Sequence, residues 1–141
     1  MKIMKAGKEG MALIFHSGSY DRIYHGLSIA LAALALGRET RCFFTYWALE
    51  YVKKDRGPDL QLNDEGKAQE KLIRKSIADG HILNVKELLS QLKAMGGKVY
   101  ACSSSMGLLN ISRDELTAEV DKSMGLTTFL TETKNSQILF I

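Results

Sequence analysis

A parallel α/β sheet of five strands, covered by helices on both faces, is the fold class this sequence predicts. Short apolar runs alternate with helix-patterned segments along the chain, and such alternation indicates parallel strands joined by crossover helices. Two of the helix patterns close on glycine, at Gly37 and Gly96, as helix C-termini commonly do. At 141 residues the chain suits one domain with a core large enough to fold without staples. A flexible start over residues 1–10 and a single domain over 11–141 are expected.

Met11-Ala12-Leu13-Ile14-Phe15-His16 is a short apolar run bounded by glycine and serine, the pattern of a buried strand. Ser17-Gly18-Ser19 turns the chain. From Asp21 to Leu36 the pattern is helical and rich in Ala and Leu, more apolar than one sheet face can cover, which points to a second subunit. Thr40-Arg41-Cys42-Phe43-Phe44 reads as the second strand, with a short helix over Thr45 to Val52 leaving its carboxyl end. The charged stretch Lys53 to Asp59 holds the only proline and breaks that helix. Residues 53–80 read as a mobile excursion, with a helix over Glu65 to Ala78 as the alternative.

Asn84 and Glu87 stand at capping-box spacing, and Val85, Leu88, Leu89 and Leu92 form one apolar stripe behind them. Gly96-Gly97 then leads into a strand ending at Cys102. A short helix over Met106 to Asn110, a second capping box at Ser112 and Glu115, a fourth strand over Thr117 to Val120 and a helix over Gly125 to Lys134 follow. Gln137 to Ile141 closes the sheet.

Composition narrows the function. A net charge of +3, from 19 basic and 16 acidic residues, is too slight to argue for nucleic acid. Two cysteines without metal-ligand or C-x-x-C spacing argue against a disulfide scaffold, zinc or a dithiol centre, and no cofactor is expected. The longest apolar stretch, Leu27 to Leu36, is too short to span a bilayer. The first ten residues lack the apolar core of a signal peptide, so a cytoplasmic location is expected.

The chemistry centres on Cys102-Ser103-Ser104-Ser105. In open parallel sheets, ligands bind in the crevice beyond the carboxyl ends of the strands. A cysteine leaving a strand there, followed by serines that open a helix, meets amides without intrahelical partners, and such donors favour thiolate over thiol. The helix terminus alone contributes about 0.3–1 kcal/mol, so direct hydrogen bonds would have to supply more. The alternative is a buried, inert thiol. His16, ending the first strand, faces the same crevice and could pair with a thiolate or bind an anionic group; a local hydrogen bond is the alternative. Ser17, Gly18 and Ser19 could cradle an anion through their amides. Tyr46 and Trp47 could wall the crevice, though aromatics fit a core or a subunit contact equally well. Cys42, mid-strand, reads as buried. Lys53-Lys54-Asp55-Arg56 reads as a solvated face or a docking patch.

The order of these parts resembles the DsrE/DsrF/DsrH-like family from about Gly10 to Ile141. The resemblance rests on the first strand with its Ser-Gly turn, the apolar helix with Gly37, and the strand end Phe43-Phe44-Thr45. Val99-Tyr100-Ala101-Cys102-Ser103-Ser104-Ser105-Met106-Gly107, followed by Asn110-Ile111 and Glu115-Leu116, is its most specific part. The motif is similar to the family's single-cysteine branch. The resemblance implies a flavodoxin-like three-layer α/β/α fold with a mainly parallel five-stranded sheet, and a homo-oligomer (trimer or hexamer). It further implies a sulfur carrier that holds sulfane sulfur on Cys102 as persulfide or thiosulfonate and passes it to TusA-like or rhodanese-like partners. Two other classes remain open: a non-catalytic oligomeric module that binds a small ligand or acts as a scaffold, and a thiol peroxidase. The second lacks a P-x-x-x-T-x-x-C lead into Cys102.

Overall fold

The computed structural model describes residues 9–55 and 60–141. Residues 1–8 of the expected flexible start, and the Arg56-Gly57-Pro58-Asp59 break, lie outside the described residues.

Strand β1 (Gly10–Phe15) leads into helix α1 (Tyr20–Ala35), and strand β2 (Thr40–Phe44) into a 3-10 segment (Tyr46–Val52). A 3-10 turn (Lys67–Gln69) precedes helix α2 (Glu70–Ala78), and helix α3 (Val85–Ala94) leads to strand β3 (Lys98–Cys102). Helix α4 (Ser103–Leu108), strand β4 (Lys122–Met124), helix α5 (Leu126–Glu132) and strand β5 (Ser136–Phe140) complete the chain. All four strand pairings are parallel, in the order β4-β3-β2-β1-β5. The five-stranded parallel α/β fold read from the sequence is therefore the fold observed. No helix among the described residues is long and apolar enough to cross a membrane.

This order decides which face each helix covers. The chain steps from β1 to β4 in one direction and then returns across the sheet to β5. Right-handed crossovers place the first three connections on one face and the last on the other. The two cores follow that division. Met11, Leu13, Phe15, Cys42, Phe44, Val99 and Ala101 pack beneath α1 and α3 in the larger core. Ala12, Phe43, Tyr100, Cys102 and Met124 meet Phe129 of α5 in the smaller one. Because successive strand residues face opposite sides, this alternation is legible directly in the sequence of each strand.

Several boundaries differ from expectation. The fourth strand lies at Lys122–Met124 rather than over Thr117 to Val120. The earlier stretch instead turns: the Thr117 N–H donates to the Val52 carbonyl at 2.8 Å and the Val120 N–H to the Thr117 carbonyl at 3.2 Å. An edge strand buried on one face needs few apolar residues, so Lys122-Ser123-Met124 gave no signal. Helix α4 begins at Ser103 rather than Met106, because the extended backbone of Cys102 places it at the cap. The last helix is shorter than Gly125 to Lys134, and α2 begins at Glu70 rather than Glu65. Leu60 and Leu62, ahead of α2, are buried against the larger core. Most of the apolar surface of α1 is also covered from within the chain, since Ile23, Leu27, Ala30 and Ala33 are buried.

The Asn84 capping box forms as the spacing predicts. Asn84 Oδ1 accepts from the Glu87 N–H at 2.8 Å, and Glu87 Oε1 accepts from the Asn84 N–H at 2.9 Å. At the second box, Glu115 Oε1 accepts from the Ser112 N–H at 2.9 Å.

Candidate active site around Cys102

The chain changes faces after β4, the strand that flanks β3 at the sheet edge. Cys102 pairs in register with Met124 of β4, and the connections leaving these two strands run to opposite sides of the sheet. Such a switch point opens a crevice at the carboxyl edge. A cavity of about 500 Å³ lies there, lined by Ile14, His16, Phe43, Thr45, Tyr46, Cys102, Ser104, Ser105, Leu126, Leu130 and Phe140. That volume is in the range of small-molecule sites. Cys102 is 6% exposed, so its thiol is reached through the cavity rather than from the open surface.

The backbone ladder positions the walls. The N–H and Oγ1 of Thr45 both donate to the Phe15 carbonyl at 2.9 Å, extending the β1–β2 pairing by one residue. The His16 N–H donates to the Ile141 carbonyl at 3.0 Å, and the Ile141 N–H to the Ile14 carbonyl at 2.8 Å, which fastens the far side. Following the register, Cys102, Thr45 and His16 form one row at the strand ends. Two strand spacings put Cys102 and His16 about 10 Å apart along the backbone. The histidine thus stands across the cavity from the sulfur.

Tyr46 connects the two sides. Its φ is +44°, a left-handed conformation that costs a non-glycine residue about 1–3 kcal/mol. Its ring lies 4.8 Å from the His16 imidazole, which in turn lies 5.6 Å from Phe140. Strained backbone of this kind clusters at functional sites.

Among the serines the structure discriminates. Ser103 is exposed and lies off the cavity, whereas Ser104 and Ser105 line it. Ser105 is 2% exposed, and because it lines the cavity its hydroxyl can donate to a molecule held there.

Ser17, Gly18 and Ser19 are placed elsewhere. With Trp47, Glu50, Gln61, Leu62 and Asn63 they line a separate depression of about 410 Å³. Their polar groups bind one another and their neighbours: Ser17 Oγ accepts from the Ser19 N–H at 3.0 Å, and Ser19 Oγ donates to Asp21 and accepts from the Asn63 N–H at 3.1 Å. The Tyr51 hydroxyl donates to the Gly18 carbonyl at 2.8 Å. The turn is locked by its own side chains. Tyr46 therefore belongs to the Cys102 cavity and Trp47 to the depression beside it.

Sequence reasoning missed Ile14, Phe43, Thr45, Leu126, Leu130 and Phe140 as lining residues. Strand parity could have found two of them, since Ile14 and Phe43 share the face of Cys102 once the pairing is known. The others depend on where the last crossover sets α5 and β5. Cys42 belongs to the larger core and is fully buried. Burial pushes its thiol up to about 12, with the Lys93 charge opposing.

A parallel α/β fold carrying a cysteine at a strand end, in the wall of a cavity at the switch point, defines the class of this protein. The chain belongs to the DsrE/DsrF/DrsH-like family, whose model matches residues 7–68 and 58–141. It is 24% identical over 153 residues to the uncharacterized protein YrkE of Bacillus subtilis (strain 168), a match spanning 92% of this chain and 94% of that one. Among solved structures it is similar to the ychN protein from E. coli, with a TM-score of 0.65 and 16% identity, over 94% of this chain and 99% of that chain. The MTH1491 protein of unknown function from Methanobacterium thermoautotrophicum is also similar, with a TM-score of 0.55 and 16% identity, over 93% and 99% of the two chains. At these identities the likeness to solved structures shows a shared fold.

Proposed function

We propose that this chain is a sulfur carrier of the cytoplasm in which Cys102 holds sulfane sulfur and hands it to a second protein. The observation that carries this reading is the placement of Cys102 in the wall of a cavity at the sheet's switch point, in a chain of this family. The Cys102 thiolate attacks the outer sulfur of a donor persulfide. A bond forms from Sγ to that sulfur, the donor's own S–S bond breaks, and the donor leaves as a thiolate. In the second half, a partner's thiolate attacks the same outer sulfur, and Cys102 leaves with the electron pair. The transferred sulfur keeps its oxidation level in both steps, so no external oxidant or reductant enters. A thiosulfonate passes in the same way from a donor R–S–S–SO₃⁻. Sγ attacks the sulfur next to the donor's own sulfur, that S–S bond breaks, R–S⁻ leaves, and Cys102 holds –S–SO₃⁻.

His16 acts on the far end of a bound donor, since the row geometry sets it across the cavity from the sulfur. Cys42 is on the other face of the sheet, so resolution by a second cysteine of the same chain is blocked. The sulfur must leave to another molecule, and TusA-like or rhodanese-like proteins are the partners proposed. A homo-oligomer is also proposed. Exposed Leu36, Leu108 and Ile138 supply apolar surface for it outside the cavity, and light scattering showing a single chain at micromolar concentration would contradict it.

Transfer is the test of function. Protein loaded on Cys102 should lose the added sulfur to a TusA-like acceptor carrying its cysteine and keep it against an acceptor in which that cysteine is serine. Retention of the sulfur with every cysteine-bearing acceptor of both classes would contradict the carrier reading.

A further inference from the structure

The walls of the Cys102 cavity differ from those expected around an inorganic anion. Ile14, Phe43, Leu126, Leu130 and Phe140 make it apolar, and among the described residues its lining contains no lysine, arginine, aspartate or glutamate. His16 is the one side chain there that carries a positive charge on protonation, and its ring is packed between Tyr46 and Phe140. An anion entering this space would lose water without gaining a fixed counter-charge, which is costly. An uncharged body of a few carbons or one ring would gain from the same walls.

Ser105 is one of the polar residues that border this space. It is 2% exposed as a residue and borders the cavity together with Cys102. Its hydroxyl can donate a hydrogen bond to a sulfur atom that becomes negative during transfer.

We propose that the donor loading Cys102 is a small organic hydropersulfide with an uncharged apolar body, taken in preference to thiosulfate or to a persulfide bearing a carboxylate. This rests on the carrier reading above and names its substrate class. The Cys102 thiolate attacks the terminal sulfur of R–S–S–H. The Sγ–S bond forms as the donor's S–S bond breaks, the proton stays on the transferred sulfur, and R–S⁻ departs with the electron pair. The Ser105 hydroxyl donates to the departing sulfur. The apolar walls hold R.

The experiment follows the gain of one sulfur atom on the full-length protein by intact-mass spectrometry. Benzyl hydropersulfide, 2-carboxyethyl hydropersulfide and thiosulfate serve as donors, each rate being divided by that donor's rate with free cysteine. The benzyl donor should be favoured about tenfold or more over either anion, the scale on which apolar pockets discriminate. Leu130→Gln, at a position 43% exposed where folding tolerates a polar side chain, should shrink that ratio. Ser105→Ala should slow all donors alike and keep the ratio. Equal normalised rates, or faster loading by thiosulfate, would overturn the substrate class while leaving the carrier reading intact. Ser105→Ala loading at the wild-type rate would overturn the role of the hydroxyl. Loading of Cys102 by none of the three would overturn the carrier reading itself.

Discussion

Cys42 and Cys102 sit on opposite faces of one sheet. Cys42 packs with Val99 and Ala101 in the larger core, and Cys102 with Phe43 and Tyr100 in the smaller. Strand parity enforces this separation, and no side-chain rotation brings the two sulfurs together across the sheet.

Under native conditions near neutral pH, iodoacetamide should label Cys102 and leave Cys42 unmodified until the protein is unfolded. Cys42 is held protonated by burial, its thiol pushed up to about 12, and the thiolate is the nucleophile. Peptide mapping of the alkylated protein checks this. Mild oxidation should likewise give no disulfide within the chain, read on non-reducing gels.

Asp121 fastens the start of β3. Its carboxylate accepts from Lys93 Nζ at 2.5 and 2.6 Å and from the Val99 N–H at 2.8 Å. Burial works to raise the Asp121 pKa, but the Lys93 and Val99 hydrogen bonds outweigh it and hold the group below its ordinary value. A depressed carboxylate stabilises the fold above its unfolded pKa and loses that contribution as pH falls through the folded one. Asp121→Asn should cost about 1 kcal/mol near neutral pH, an exposed-side ion pair with one backbone bond. The gap from wild type should narrow as pH drops below the ordinary aspartate range. Urea denaturation at both pH values measures it.

Gly26 lies where α1 crosses the ring of Phe15, and a methyl group at that position would overlap the ring edge. Phe15 is itself stacked on Phe44 at 4.7 Å, so it has little room to move. Gly26→Ala should therefore destabilise by about 1–3 kcal/mol through overpacking, despite the better helix propensity of alanine. A thermal melt showing stabilisation would contradict this packing account.

Phe129 is the buried anchor of α5, stacked on Phe43 at 4.4 Å and edge-on to Tyr100 at 6.2 Å. Phe129→Ala should cost about 3–5 kcal/mol and loosen the Leu126–Leu130 wall of the cavity. Chemical denaturation gives the first quantity. Amide hydrogen exchange should show faster opening of α5 than of α1.

The fold was legible because its signals are local. Apolar runs marked β1, β2, β3 and β5, and the Asn84–Glu87 box and Gly96 bounded α3. Lys122-Ser123-Met124 was illegible because an edge strand is specified by its neighbour's free hydrogen bonds rather than by its own side chains. Cys102, His16, Tyr46, Ser104 and Ser105 could be assigned to the carboxyl edge, since each follows a strand. Ser17, Gly18 and Ser19 follow a strand too, yet they line a different depression, because Tyr46 and Trp47 divide the edge. Leu126, Leu130 and Phe140 reach the site only through the last crossover, whose direction no single segment encodes.

Exposure of the folded protein to a hydropersulfide donor, followed by intact-mass spectrometry of the wild type, Cys42→Ala and Cys102→Ser, tests the central claim most directly. Wild type and Cys42→Ala should each gain the mass of one sulfur atom, and Cys102→Ser should gain none. Loading on Cys42, or a folded wild-type protein in which Cys102 stays unmodified, would contradict the account.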